Sequence, residues 1–273
     1  MFKQLKRFLP PIFLDYLRHY FSDISFSGPY QTWEAAIHDA DGYDHENIFD
    51  ASSRAALQVH DGFAPCERDG VLFDAVEYSW PVIAALMKAA KDSGNTLNVI
   101  DFGGGFGSSY YQSRLFTKNI KSMMWVVIEQ ERFVNFGNQH LSGPDLSFES
   151  SFSAVSKKIK PNAILFSAVL HYLAHPSGVV NEAKAIKADY IIVDRSPESS
   201  IDQDMIAVQH VKGIYKASYP SWIFKKDKLL ELLVPEYSLL ADFESNDFQG
   251  YLIGKNKITF KGYIFKLNID VNL

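Results

Sequence analysis

Between an apolar run and a polar helical stretch, the segment VIDFGGGFGSSYY, residues 99–111, places four glycines at positions 103, 104, 105 and 107. Glycine loses more conformational freedom on folding than any other residue. A cluster of it after a strand therefore marks a tight turn or a close approach of backbone to a ligand. The dinucleotide fingerprint G-x-G-x-x-G is not met, because Ser108 stands where its third glycine belongs. The spacing is instead D-x-G-x-G-x-G, carried by Asp101, Gly103, Gly105 and Gly107. A second acid, Glu129, closes the next apolar run, WVVIEQ. A carboxylate there offers two acceptors to a vicinal diol such as that of a ribose. Asp101, Gly103, Gly104, Gly105, Gly107 and Glu129 are thus the candidate cofactor-binding residues.

These residues need a scaffold that ends strands beside one another. The runs LNVIDF (97–102), MMWVVIE (123–129), LSFES (146–150), AILFSAV (163–169) and YIIVDR (190–195) are each of strand length. Polar helical segments such as SSYYQSRLFTKN and SGVVNEAKAIKA separate several of them. Repeated strand-helix units imply a parallel sheet with right-handed crossovers, an α/β doubly wound fold. In such a sheet ligands bind beyond the carboxyl ends of the strands, where strand order reverses. The closing runs EYSLLADF, FQGYLIG and FKGYIFKL read as an antiparallel finish. Before residue 97 the pattern is mostly helical: Val76, Trp80, Ile83, Met87 and Ala90 share one face, with Pro81 near the start and Gly94-Asn95 at the stop. The expected organisation is a helical N-terminal cap over residues 1–96 and a cofactor-binding core over 97–273.

Composition narrows the partners. The 273 residues are 47% hydrophobic, enough to bury a substantial core. A formal net charge of -5 argues against a nucleic-acid binder, which needs a concentrated excess of Lys and Arg. A single cysteine, Cys66, cannot form an internal disulfide and fits a reducing, cytoplasmic compartment. The opening MFKQLKRFLPPIFLDYLRHYF is broken by Lys6, Arg7, Pro10, Pro11, Asp15 and Arg18, and reads as neither signal peptide nor membrane span. Its mix of basic and aromatic residues could rest on an anionic membrane surface, against the plainer reading of a helix packed on its own domain. The D-x-D-G of HDADGYD lacks the further positions of a calcium loop, so Asp39 and Asp41 read as turn residues.

The D-x-G-x-G-x-G turn followed by Glu129 resembles the first motif and the ribose acid of the class I S-adenosylmethionine-dependent methyltransferases. The blocks GPYQTWEAA, DFGGGFGSSYY, AILFSAVLHYL, YIIVDRSP and IYKASYPSWIF, in that order from about Gly28 to about Phe243, further resemble a sequence-defined family of bacterial methyltransferases often associated with surface-polysaccharide (O-antigen) genes. The resemblance implies a Rossmann-like doubly wound sheet, mostly parallel with an antiparallel C-terminal strand. It implies S-adenosyl-L-methionine as cofactor, S-adenosyl-L-homocysteine as product, and an acceptor near glycan or lipopolysaccharide assembly.

A sulfonium methyl is already electrophilic, so catalysis is mainly in-line positioning, with a base only where the acceptor must lose a proton. The Asn/Asp-Pro-Pro-aromatic motif of one large amine-methylating type is replaced here by FSAVLHYL, which puts amine chemistry in doubt. His171, with Tyr172 beside it, is the candidate base for a hydroxyl acceptor; a histidine packing the following helix is the rival reading. His171 and His175 have i,i+4 spacing, but Pro176 limits any helix there and no third ligand accompanies them, so no metal is assigned. Arg195 could grip a phosphate or carboxylate on the acceptor, or pair with Asp194 to hold the loop. Tyr219 and Trp222, with Tyr30, Trp33 and Tyr43, could line a sugar or lipid pocket, although such clusters are more often core. Two other classes stay open. One is an NAD-dependent oxidoreductase; the other is a non-catalytic protein that keeps the cofactor pocket.

Overall fold

The computed structural model describes residues 24–40, 45–68, 70–211, 217–245, 251–253 and 256–268. The N-terminal basic and aromatic segment, Asp41, Tyr43 and Tyr215 lie outside them. Five parallel strands form the centre: β4 (Thr96–Phe102), β5 (Ser122–Ile128), β6 (Leu146–Glu149), β7 (Ala163–Ser167) and β8 (Tyr190–Ser199). Their order is β6-β5-β4-β7-β8, so the chain reverses direction across the sheet between β4 and β7. Beyond β8, β13 (Asn256–Leu267) pairs antiparallel to it, and β11 (Tyr237–Glu244) pairs antiparallel to β13. The order β6-β5-β4-β7-β8-β13-β11, with only β13 reversed, is the class I methyltransferase fold, as the Rossmann-like reading expected.

Alternate residues of the central strands feed two cores. Val99, Val127, Leu165 and Ile192 face α3 (Trp80–Asp92), α4 (Ser108–Thr117) and α5 (Glu131–His140). Ile100, Val126, Ile164 and Ile191 face α6 (Phe152–Ser156), α7 (Pro176–Ile186) and α8 (Lys228–Leu233). Strands buried on both faces read as continuous apolar runs, which is why their positions were legible in sequence. Helix α3 carries Pro81 in its first turn and ends before Gly94 and Asn95, both at positive φ. That matches the expected start and stop.

The N-terminal stretch departs from the expected helical cap. Helices α1 (Trp33–Asp39) and α2 (His45–His60) are present, but β1 (Ile24–Tyr30) joins the main sheet by pairing with β9 (Met205–Val211), which pairs in turn with β10 (Ala217–Lys225). The segment ISFS alternates apolar and polar residues, and Ile24 and Phe26 pack against Met205, Ala207 and Ile223. That period of two is a strand signal. A short hairpin, β2 (Cys66–Arg68) and β3 (Val71–Phe73), completes this region, and β12 (Tyr251–Ile253) lies against β1 and β13. Residues assigned to the cap and residues assigned to the core therefore share one sheet.

Candidate functional site

The carboxyl ends of β4 and β5 carry the glycine turn. Gly103, Gly105 and Gly107 have φ of +68°, +58° and +89°, in the left-handed region where an L side chain is strained. A Cβ on Gly103 would stand 2.4 Å from Val169 Cγ2, whereas one on Gly105 would meet nothing within 4 Å. The turn is packed against Val169 at Gly103 and open at Gly105, where a ligand would have room to meet the backbone. Glu129, one residue beyond β5, leans over it: Oε1 accepts from the Gly105 amide at 3.3 Å and Oε2 from the Gln130 amide at 2.9 Å. Burial raises its carboxyl above the usual range, and the two amides oppose that rise.

Asp101 is placed differently from the other cofactor candidates. It is 0% exposed and lies under the turn, so close that a Cβ on Gly104 would stand 2.5 Å from its Cγ. Trp125 Nε1 donates to Oδ2 at 3.1 Å, while Oδ1 has no hydrogen-bond partner. Burial pushes this carboxyl up to about 7, Glu129 adds to the rise, and Trp125 and Arg195 oppose it. Asp101 shapes the turn from below. Ser108, which breaks the dinucleotide fingerprint, donates its hydroxyl to Glu67 of β2; this fastens the hairpin to the start of α4. Glu67 escaped the sequence reading, and the one available signal was the unexpected serine.

On the other side of the reversal point, Ser167 ends β7 and pairs with Asp194 of β8. Ser167 Oγ donates to Asp194 Oδ2 at 3.3 Å and accepts from Arg195 Nη2 at 2.8 Å. Arg195 Nε lies 3.5 Å from the same carboxylate, yet it is buried with no hydrogen-bond partner. The register between β8 and β13 shifts here: Val193 faces Tyr263 and Ser196 faces Lys261, so Asp194 and Arg195 together oppose Gly262. Arg195 adopts φ +56° at this bulge. Bulges re-aim side chains beside functional sites, and the left-handed position usually falls to glycine. All three residues line a cavity of about 150 Å³, with Ser109, Gln112 and Ser113 of α4 and the start of α3.

The remaining candidates sit elsewhere. His171, in a short 3-10 turn (Leu170–Tyr172) after β7, is 0% exposed, and neither ring nitrogen has a hydrogen-bond partner. Burial, helped by Arg195, lowers its pKa to about 3. A closed imidazole fits the packing reading. The Tyr172 hydroxyl donates to Gln209 Oε1 at 3.2 Å, and Gln209 Nε2 donates to the Tyr219 hydroxyl at 3.3 Å. Trp222 stacks on Trp33 with ring centroids 5.5 Å apart, and its Nε1 donates to the Leu173 carbonyl at 3.0 Å. With Tyr30 they pack α1 onto β9 and β10 around Ala36, Ile206 and Val208. Among the described residues, Arg195 is the one acceptor-side candidate that lines the cavity.

No family model matches the chain, and no curated protein matches it in sequence. Among solved structures it is similar to the 1,6-didemethyltoxoflavin-N1-methyltransferase of Burkholderia thailandensis with 1,6-didemethyltoxoflavin and S-adenosylhomocysteine bound, at 14% identity over 83% of this chain and 91% of that one, with a TM-score of 0.41. It is similar to the magnesium protoporphyrin IX methyltransferase of Synechocystis PCC 6803 at 12% identity over 69% and 79% of the two chains, with a TM-score of 0.44. An amino pentose methyltransferase of Micromonospora echinaspora matches at 13% identity over 70% and 92%, with a TM-score of 0.42.

Proposed function

We propose that the protein transfers a methyl group from S-adenosyl-L-methionine to a small or glycan-linked acceptor. One observation carries this reading: an open glycine turn and a ribose-type acid, Glu129, meet at the strand ends of a methyltransferase-type sheet. Open space above Gly105 admits a ligand to the backbone, and the Glu129 carboxylate presents two acceptor oxygens to a vicinal diol. The bound group would supply a methyl on a positively charged sulfur.

The chain's own residues then position and exclude. Gly103, Gly104, Gly105 and Gly107 bring the backbone against the cofactor, Glu129 orients its ribose, and Asp101 and Trp125 hold the turn in shape from below. The cavity at Ser167, Asp194 and Arg195 opens on the acceptor side of the same strand ends. Its hydroxyl and amide lining, from Ser109, Gln112, Ser113 and Ser167, supports a hydroxylated acceptor such as a surface-glycan or lipopolysaccharide precursor. Tyr172 and Tyr219, joined through Gln209, stand as a polar wall beyond β7. A sulfonium methyl is already electrophilic, so positioning of the acceptor is the main contribution asked of the chain.

Calorimetric titration with S-adenosylhomocysteine, with NAD as the competing ligand, tests the proposal. Saturable binding that weakens strongly in Glu129→Ala, with no NAD binding, is expected. A well-folded protein that binds NAD instead, or neither ligand, would overturn it.

A further inference from the structure

Arg195 is shaped for a ligand that the cofactor reading does not use. Its backbone stands at φ +56°, a conformation that is strained for a non-glycine residue. Glycine would fill the bulge without strain, yet an arginine stands there. That side chain is only 16% exposed and lines the cavity, yet its Nε–H makes no hydrogen bond. A guanidinium carries five donors in a rigid fork that matches the oxygens of a carboxylate or phosphate.

The charges around it separate by depth. Asp194, 5% exposed, is already shared between Ser167 and Arg195. Glu77 and Glu244 also line the cavity, but both are exposed, where water and salt screen them. Arg68, partly buried, adds a second cation to the lining. With Glu77, Asp194 and Glu244 set against Arg68 and Arg195, the donor geometry of the guanidinium, not net charge, is what selects an anion here.

We propose that the acceptor is an anionic molecule whose carboxylate or phosphate is held by Arg195, at the bulge in β8 beside the carboxyl end of β7. This rests on the methyl-transfer reading for the word acceptor, while the anion site itself can be tested without the cofactor. Held there, the anion anchors the acceptor on the side of the reversal point opposite Glu129.

The test follows the Arg195 Nε–H cross-peak in arginine side-chain ¹⁵N spectra, assigned by its absence from Arg195→Lys, at constant ionic strength. The probes are acetate, its neutral isostere acetamide, and inorganic phosphate. A saturable shift with acetate alone assigns a carboxylate, with phosphate alone a phosphate, and with both the shared chemistry. Acetamide is expected to leave the peak in place. Calorimetry of the same anions is expected to show at least tenfold weaker binding in Arg195→Gln and a smaller loss in Arg195→Lys, which keeps the charge but not the fork; retained S-adenosylhomocysteine binding by both controls for folding. No shift with either anion, an equal shift with acetamide, or undiminished binding in Arg195→Gln would overturn the proposal. Glu129→Gln is expected to lose S-adenosylhomocysteine binding and keep the anion shift. Anion binding by a wild type that ignores S-adenosylhomocysteine would defeat the methyl-transfer reading alone.

Discussion

The two sides of the reversal point ask the backbone for the same thing and receive it from opposite residues. At the end of β4, left-handed conformations fall on Gly103, Gly105 and Gly107; beyond β7 and within β8 they fall on Ala168 and Arg195. Glycine serves where the main chain must come close to a ligand, since no Cβ stands in the way. Arginine serves where a charged side chain must be aimed, and strain is tolerated because a bulge and a buried carboxylate hold it. In the proposed reading, the same departure from ordinary backbone geometry marks a surface for approach on one side and a gripping side chain on the other.

The sharpest way to break this comparison is to remove one side and ask whether the other notices. Glu129→Ala is expected to weaken S-adenosylhomocysteine by about a hundredfold, from the loss of two hydrogen bonds to a charged acceptor at about 1.5 kcal/mol each. Arg195→Gln should leave that affinity within about threefold, because groups without shared partners act nearly additively. Parallel calorimetry of the two variants checks both, and a large loss in Arg195→Gln would merge the two sides into one.

Next in size is the turn itself. Gly103→Ala places a Cβ 2.4 Å from Val169 Cγ2 at φ +68°, and is expected to cost about 2–3 kcal/mol in urea unfolding. Unchanged stability would show that the turn is looser than described.

Two buried groups, one from each side, set opposing pH dependences. The folded-state carboxyl of Asp101 sits up at about 7. Between about pH 4 and that value the folded state holds a proton the unfolded chain has lost, so stability falls as pH rises. His171 sits down at about 3. Below about 6.5 the unfolded chain takes up a proton that the folded state refuses, so stability falls as pH falls. Where the windows overlap, from about pH 4 to 6.5, the slopes offset. Relative to wild type, Asp101→Asn should make the slope of stability against pH more positive there and His171→Gln more negative, each by at most about 1.4 kcal/mol per pH unit. Chemical denaturation across that range checks the signs; equal slopes in the two variants would contradict the assignment.

The smallest expected effect separates strain from charge. Arg195→Gly and Arg195→Ala both remove the guanidinium, but only glycine relieves φ +56°, so the glycine variant should be more stable by about 1 kcal/mol. Equal stabilities would show that the bulge relaxes.

The two sides were also unequally legible in sequence. The glycine turn, Glu129 and the central strands announced themselves, because backbone approach needs glycine and doubly buried strands need unbroken apolar runs. Arg195 could be singled out at a strand end, but its left-handed bulge could not, since no glycine marked it. Strand β1 hid behind aromatic turn residues although Ile24 and Phe26 alternate with serines. Strands β9 and β10 hid differently: Tyr219 and Trp222 drew attention as ring surfaces, while cross-strand pairing decides their place. Tyr219 joins Gln209 and Tyr172, and Trp222 packs on Trp33, a division visible only once the two faces of β10 are known. The burial of His171 likewise depends on distant segments, since Phe260 of β13 packs edge-on to its ring.

A crystal structure of the wild type grown with S-adenosylhomocysteine tests the central claim most directly. The account predicts ribose hydroxyls on the Glu129 carboxylate, main chain of residues 103–107 against the ligand, and the sulfur facing the cavity at Ser167 and Arg195. A ligand bound away from Glu129, or one whose sulfur is walled off from that cavity, would contradict it.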